Sequence, residues 1–248
     1  MVNFELRSFS SADELASHTA SAWLDEIESA KRAGKTHCVA LSGGRITHNF
    51  FTAAVEQAGL RRVGDGGTPS LPANVHFFWA DERCVPLADP ESNFKLANEL
   101  LFAPLNIPAK QIHRIHGEDS PQVAAKLAED ELSRVVSVDK NDQPVLDLIF
   151  LGMGEDGHVA SLFPVAPPEI LNCTAPFLVV ENSPKPPPRR ISLSYAAIAA
   201  AKEVWVLVSG AGKGAALRDS LRPDGRTPLA RVLQTRSRTN IFSDVRVD

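Results

Sequence analysis

Short, almost wholly apolar runs recur along the chain, and each ends abruptly in polar or glycine-rich residues. They cover residues 38–41, 75–80, 146–151 and 204–208. Continuous rather than alternating hydrophobicity marks strands buried on both faces. Between these runs the apolar positions recur at helical spacing. Ser11 and Glu14 form a capping box, Leu15, Ala22, Ile27 and Ala30 carry on a stripe, and Gly34 closes the helix. Further helices are predicted over about residues 48–57, closed by Gly59, and over about 91–101. Another starts at Ser120-Pro121, with proline in the first helical position, and reaches about residue 136. Helices through Ala201 and to about Leu221 complete the set. Short strands are predicted at 112–115 and 191–193, and the stretches 63–72 and 183–188 read as loops rich in glycine or proline.

Strands alternating with helices predict an α/β fold. The expected form is a mainly parallel sheet flanked by helices on both faces, a Rossmann-like three-layer architecture. The 248 residues suit one domain, with or without a small lobe. In such sheets ligands bind beyond the carboxyl ends of the strands. Four strand ends are polar and distinctive, those after Leu41, Ala80, Leu151 and Val208. Together they predict one shared cleft.

Composition narrows the partners. The net charge of −4 argues against nucleic acid or an anionic membrane surface. Any phosphate affinity must then come from a local cluster. Cys38, Cys84 and Cys173 are odd in number and widely spaced, so neither a disulfide framework nor a zinc site is expected. No basic start followed by an apolar core opens the chain, and no run of 18 apolar residues occurs. A cytoplasmic protein is predicted.

Each strand end carries candidate chemistry beside a plainer alternative. Ser42-Gly43-Gly44-Arg45 sits between a strand and a helix, where glycines admit close backbone approach and a helix start offers free N–H groups to an anion. The same turn also serves as a simple connection. In Asp81-Glu82-Arg83, Arg83 suits a phosphate or carboxylate and Asp81 suits proton transfer or a sugar hydroxyl; a surface ion pair is the alternative. In the segment GMGEDGHVASLFP, residues 152–164, His158 is expected at or near a helix start, which disfavours the imidazolium and leaves a neutral base. Glu155 or Asp156 is placed to orient its ring. Lys213, beyond Gly210 and Gly212, is either a phosphate ligand or a solvated helix lysine. His113 and His116 lack the carboxylates or thiols of a metal site, and no GxSxG nucleophile elbow occurs. Arg61-Arg62, Arg189 and the arginines of 231–238 read as solvated; Arg190, following the prolines, is kept as a candidate.

With these residues in view, the chain resembles the 6-phosphogluconolactonases. The match lies in SGGR (42–45), WADERCVP (79–86) followed by Ser92-Asn93, LGMGEDGHVASLFP (151–164), PPPRRISLS (186–194) and VSGAGKGAAL (208–217). Order and spacing fit over roughly 38–233. The resemblance implies a fold shared with glucosamine-6-phosphate deaminases and ribose-5-phosphate isomerases. It implies hydrolysis of 6-phospho-D-glucono-1,5-lactone in the oxidative pentose phosphate pathway, with no metal and no organic cofactor. It implies His158 as general base; the reading of Asp81 as a group for proton transfer adds a second catalytic candidate. It also implies that Arg83 and Lys213, with the turn at Gly43-Gly44, bind the phosphate and sugar; Arg45, Gly154, Asp156 and Arg190 are added as candidate substrate contacts from the residues themselves. Two departures stand out. Relatives often continue SGGSTP or SGGRTP, whereas Arg45 here precedes Ile46-Thr47-His48, which should change how the helix begins. The Thr usual after the motif histidine is Val159, so any hydroxyl contact there is lost.

Backbone N–H groups around Gly154 or Gly43-Gly44 are expected to face the oxyanion formed during hydrolysis. Two other readings stay open at the level of sequence. An amino-sugar-phosphate deaminase or isomerase shares the D-G-H turn but usually follows it with A-F-N-E-P; the glutamate is missing from Ala160-Ser161-Leu162-Phe163-Pro164. A non-catalytic sugar-phosphate sensor usually adds a DNA-binding helix-turn-helix, for which this chain has neither room nor basic excess.

Overall fold

Four apolar runs become strands of a parallel sheet, where helices above and below hide such runs; three lie inside the sheet and β3 at its edge. The computed structural model describes residues 4–62 and 70–247. In chain order the elements begin β1 (Phe4–Ser8), α1 (Ala12–Arg32), β2 (His37–Leu41), α2 (Arg45–Arg62), β3 (Val75–Trp79), β4 (Asp81–Arg83), α3 (Asn93–Ala97) and α4 (Pro121–Val135). They continue β5 (Leu148–Gly152), α5 (Pro168–Leu171), β6 (Phe177–Val180), β7 (Arg190–Leu193), α6 (Tyr195–Ala200), β8 (Glu203–Val208), α7 (Gly214–Leu221), α8 (Pro228–Thr235) and β9 (Thr239–Ser243).

The main sheet has the order β1-β9-β8-β5-β2-β3 and is parallel throughout. The α/β class and the parallel sheet flanked by helices are as expected. From β2 the chain steps outward to β3, then returns past β2 to β5 and builds away through β8 and β9. The connections leaving β2 and β5 therefore diverge, and a crevice opens beyond their carboxyl ends. A second, antiparallel sheet, β4-β7-β6, stands beside it. Ala80 links the two: its N–H bonds to Leu41 of β2, and its carbonyl accepts from Leu193 of β7.

The core beneath the crevice is aromatic. Trp23 of α1 meets Phe50 of α2, Phe77 of β3 and Phe150 of β5, with ring centroids 5.6, 6.3 and 5.6 Å away. Such tilted and edge-on contacts add about 0.5–1.5 kcal/mol each beyond their burial.

Several local expectations are corrected. The capping box forms, Ser11 Oγ accepting from the Glu14 N–H. α2 starts at Arg45 rather than near 48 and passes through Gly59, because packing against α1 outweighs one glycine's propensity. The helix predicted over 91–101 is a short α3 followed by a π-turn, Asn98–Phe102. Residues 112–115 form only an isolated bridge, from Ile112 to Phe77. Of the loop expected at 63–72, residues 63–69 lie outside the described residues. Strands β1, β6 and β9 and helices α5 and α8 were not expected; β1 and β9 are mixed in polarity and exist because they pair with each other and with β8.

The arginines of 231–238 are not simply solvated either. Arg236 is buried and donates to the carbonyls of Ile198, Ala199 and Lys202 at the end of α6. Arg231 donates to the Leu171 carbonyl and lies 4.8 Å from the Tyr195 ring centroid.

Candidate active site

The crevice holds a cavity of about 310 Å³, lined from all four polar strand ends and from the proline segment. At the end of β2, Ser42 Oγ donates to the Phe150 carbonyl and ties this turn to β5. Gly44 has φ +113°, a region L side chains avoid, and lets the chain reverse into α2. Thr47 closes the turn by donating from Oγ1 to the Ser42 carbonyl. α2 thus begins without the proline of its relatives. Within its first turn the Thr47 N–H is taken by the Gly44 carbonyl at 3.1 Å; the N–H groups before it have no carbonyl one turn back to accept them. Residues 42–46 face the cavity, so this is an anion-attracting end. Arg45 is mostly exposed and pairs with Glu155 at 3.2 Å.

Asp81-Glu82-Arg83 is strand β4, with both carboxylates buried, while Arg83 pairs with the exposed Glu91 at 3.6 Å. Asp81 is buried and accepts from Ser161 Oγ at 2.7 Å. Asn93 donates to the Asp81 carbonyl, and its amide packs so closely on Gly43 that no Cβ fits there. Glu82 caps α3, accepting from the N–H groups of Arg83, Asn93 and Phe94 at 2.8 Å each. Burial still pushes its carboxyl up to about 7. Arg83 lines the cavity and donates to the Glu91 carbonyl.

His158 does not begin a helix; it lies in an irregular turn after β5. Its side chain is 16 % exposed and packs 4.8 Å from the Phe163 ring. Nδ1 is bound to Asp156 Oδ1. A carboxylate only accepts, so Nδ1 carries the proton and Nε2 keeps a lone pair for the cavity. Burial lowers the ring's pKa, and Asp156 works against that shift. Desolvation thus does what the helix dipole was expected to do. Asp156 is itself held below the usual carboxylate range: burial pushes it up, but the His158 hydrogen bond and charge outweigh that. Of the two candidates, Asp156 is the one that orients the ring. It was also expected among the substrate contacts, yet it is not among the residues facing the cavity.

Gly154 is in contact with this pair. A Cβ there would fall on the imidazole, so only glycine allows the turn to close over the ring. Its N–H donates to the His158 carbonyl at 2.9 Å, which removes it as an oxyanion donor. Val159 is fully buried and offers the cavity nothing.

Lys213 is buried rather than solvated, and burial, with Arg45 nearby, pulls its ammonium down to about 8. Arg190 lines the cavity and donates from Nε and Nη2 to the carbonyls of Lys185, Pro186 and Pro187, holding the proline segment in place. That segment brings in Lys185, which the sequence reading missed; its position between prolines, five residues before Arg190, was the available signal. The lining thus carries Arg45, Arg83, Lys185, Arg190 and Lys213 against Asp81 and Glu155. A chain of net charge −4 has concentrated positive charge in one cavity. The cations fall into two groups. Lys213 feels Arg45 and Lys185, whereas Arg190 feels Arg83 and Asp81.

Elsewhere His113 bonds through Nδ1 to Glu131 and through Nε2 to His76. Among the described residues no group of three His, Cys, Asp or Glu side chains is arranged to hold a metal. No helix among them is long and apolar enough to cross a membrane.

Comparison with known proteins adds to this geometry. The family model described as glucosamine-6-phosphate isomerases/6-phosphogluconolactonase matches residues 10–241. A 6-phosphogluconolactonase of Haemophilus influenzae is 41 % identical over 182 residues, 73 % of this chain and 72 % of that protein. One from Mycobacterium bovis is 42 % identical over 149 residues, and the match spans 58 % of this chain and 60 % of that relative's length. A solved 6-phosphogluconolactonase structure from Thermotoga maritima superposes with a TM-score of 0.79 at 27 % identity, covering 98 % of this chain and 99 % of that one.

Proposed function

The chain belongs to the glucosamine-6-phosphate isomerase/6-phosphogluconolactonase family, and from that premise we propose that it hydrolyses 6-phospho-D-glucono-1,5-lactone to 6-phosphogluconate. The observation that carries this reading is His158: Nδ1 pinned by Asp156, Nε2 free, in a cavity rich in positive charge. A dianionic phosphate matches that field. A δ-lactone is an activated ester and needs only a base for water, a grip on the phosphate and support for the oxyanion.

The substrate phosphate sits with Lys213, Arg45 and the open N–H groups at the start of α2. The ring then extends toward Arg83 and Asp81. His158 Nε2 takes a proton from water as the oxygen attacks the lactone carbonyl carbon. The carbonyl π electrons move to oxygen, giving a tetrahedral oxyanion, which Arg83 and the Gly43-Gly44 turn stabilise. Collapse restores the carbonyl and breaks the bond to the ring oxygen. That oxygen leaves as the C5 hydroxyl, taking the proton from the His158 imidazolium. Asp81, fixed by Ser161 and Asn93, holds a sugar hydroxyl or assists this protonation. Asp156 stabilises the imidazolium in between.

The deaminase reading lacks support because no carboxylate follows His158 in the 159–164 turn. The cysteines are free, in keeping with a cytoplasmic enzyme. The test is lactone hydrolysis by His158→Ala, corrected for the spontaneous reaction, with glucose-6-phosphate dehydrogenase generating the lactone in place. Removing a general base should lower kcat by about 10²–10⁴-fold; a loss within about threefold would sink the assignment. Ammonia release from glucosamine 6-phosphate would favour the deaminase instead.

A further inference from the structure

Lys185 has a fixed backbone, while its ammonium is held only by a long ion pair. Its carbonyl accepts from Arg190 Nη2 at 3.1 Å and from Ser183 Oγ at 2.8 Å, and its N–H donates to Ser183 Oγ. The next two carbonyls, of Pro186 and Pro187, bind the same guanidinium. The side chain is 44 % exposed and faces the cavity. Its Nζ lies 3.7 Å from Asp156 Oδ1, the oxygen that also accepts from His158 Nδ1. Ammonium and imidazole therefore share one carboxylate oxygen. A half-exposed lysine–carboxylate pair at this separation is weak, so a dianion can displace the carboxylate from it. Lys185 also lies close enough to Lys213 to depress its ammonium, which puts it on the phosphate side of the cavity.

We propose that Lys185 is a positioning residue that couples anion capture to the strength of the base: in the empty cavity its ammonium rests against Asp156, and a phosphate draws it away and leaves the carboxylate to His158 alone. This rests on the reading of His158 as base and of the cavity as a phosphate site. The charged groups facing the ring are Asp156 on its own turn, Lys185 from the proline segment and Asp81 from β4. The two carboxylates raise its basicity and Lys185 lowers it. Asp156 and Asp81 are held by hydrogen bonds to His158 and Ser161, while the Lys185 ammonium is free to turn about its stem. Its departure strengthens the base when a substrate is present to be attacked. Its return weakens the base once the phosphate has left.

The test follows the His158 imidazole by NMR titration in wild type and Lys185→Met, without anion and with saturating inorganic phosphate. Neither lactone nor turnover is needed, so failure of the lactonase reading would leave the outcome legible. Without anion, His158 should titrate at higher pH in Lys185→Met than in wild type. Phosphate should raise the wild-type titration more than that of the variant, and should bind the variant roughly threefold or more weakly. Lys185→Arg, which keeps the charge, should restore the wild-type pattern. Unchanged anion-free titration in Lys185→Met would make Lys185 a phosphate ligand only and overturn the coupling. Equal phosphate-induced movement in the two proteins would overturn it too, as would Lys185→Arg behaving like the Met variant. No binding of millimolar phosphate to wild type would remove its premise.

Discussion

Replacing Gly154 by alanine should disable the base while sparing most of the fold. The new Cβ would lie far inside contact distance of Nδ1 and Cε1 of His158 and stand 2.7 Å from Asp156 Oδ1. The backbone cannot withdraw without losing the bond from the Gly154 N–H to the His158 carbonyl. Gly154 is not among the glycines with positive φ, so alanine adds no backbone strain of its own. The imidazole must therefore turn, and the Nδ1–Asp156 hydrogen bond breaks. A charge-assisted bond of this kind is worth about 1.5–3 kcal/mol, which is roughly 10- to 150-fold in rate if it acts on the imidazolium of the transition state. A displacement of about 1 Å costs on the order of 10²-fold by itself. The two effects overlap, and kcat should fall about 10²-fold. KM should hold, because Lys213 and the start of α2 do not move. The assay is the coupled lactone assay on folded protein, with thermal unfolding alongside. Gly44→Ala is the control: it meets open space at φ +113°, so it should cost about 1–3 kcal/mol of stability through strain and leave the His158 bond alone. A Gly154→Ala protein whose kcat stays within about threefold of wild type would refute the placement of the base.

Lys213 and Arg236 give contrasting predictions. Burial pulls Lys213 below its unfolded value, to about 8, so the charged ammonium opposes folding below pH 8 and the cost fades as pH rises toward 10.5. Lys213→Met should therefore unfold later than wild type at neutral pH, by up to about 3 kcal/mol, and the gain should shrink above pH 8 in thermal melts. Calorimetric binding of 6-phosphogluconate should weaken in wild type as pH climbs through about 8, and in Lys213→Arg it should stay flat. Arg236→Ala should leave the α6 carbonyls buried without their donor and cost about 2–4 kcal/mol in denaturant unfolding, with kcat of the folded fraction unchanged.

Much of the molecule was legible because it is written locally. The runs at 38–41, 75–80, 146–151 and 204–208 announce buried strands in any context, since no other short element hides so continuous an apolar stretch. Parallel order and a cleft at the strand ends follow from helices alternating with strands. Asp156 and His158 are two residues apart, so their pairing was within reach of the sequence. So was the crowding of glycines around them.

Tertiary structure decided whatever depends on residues distant in sequence. β1 and β9 are too polar to be read as strands; β9 forms because β8 offers an edge to pair with, and β1 adds to β9. Glu82 looked like half of a surface ion pair; ten residues on, the chain returns with Ser92, Asn93 and Phe94 and makes it a buried cap. Arg190 was kept only as a candidate substrate contact; the fold also turns the carbonyls of the proline segment onto its Nε and Nη2. The same turn carries Lys185 across 29 residues to the carboxylate of Asp156. Hydrophobic periodicity reports whether a residue is buried. It carries no information on which polar group a buried or half-buried side chain meets, because that is set by the closure of long loops and the order of strands in the sheet.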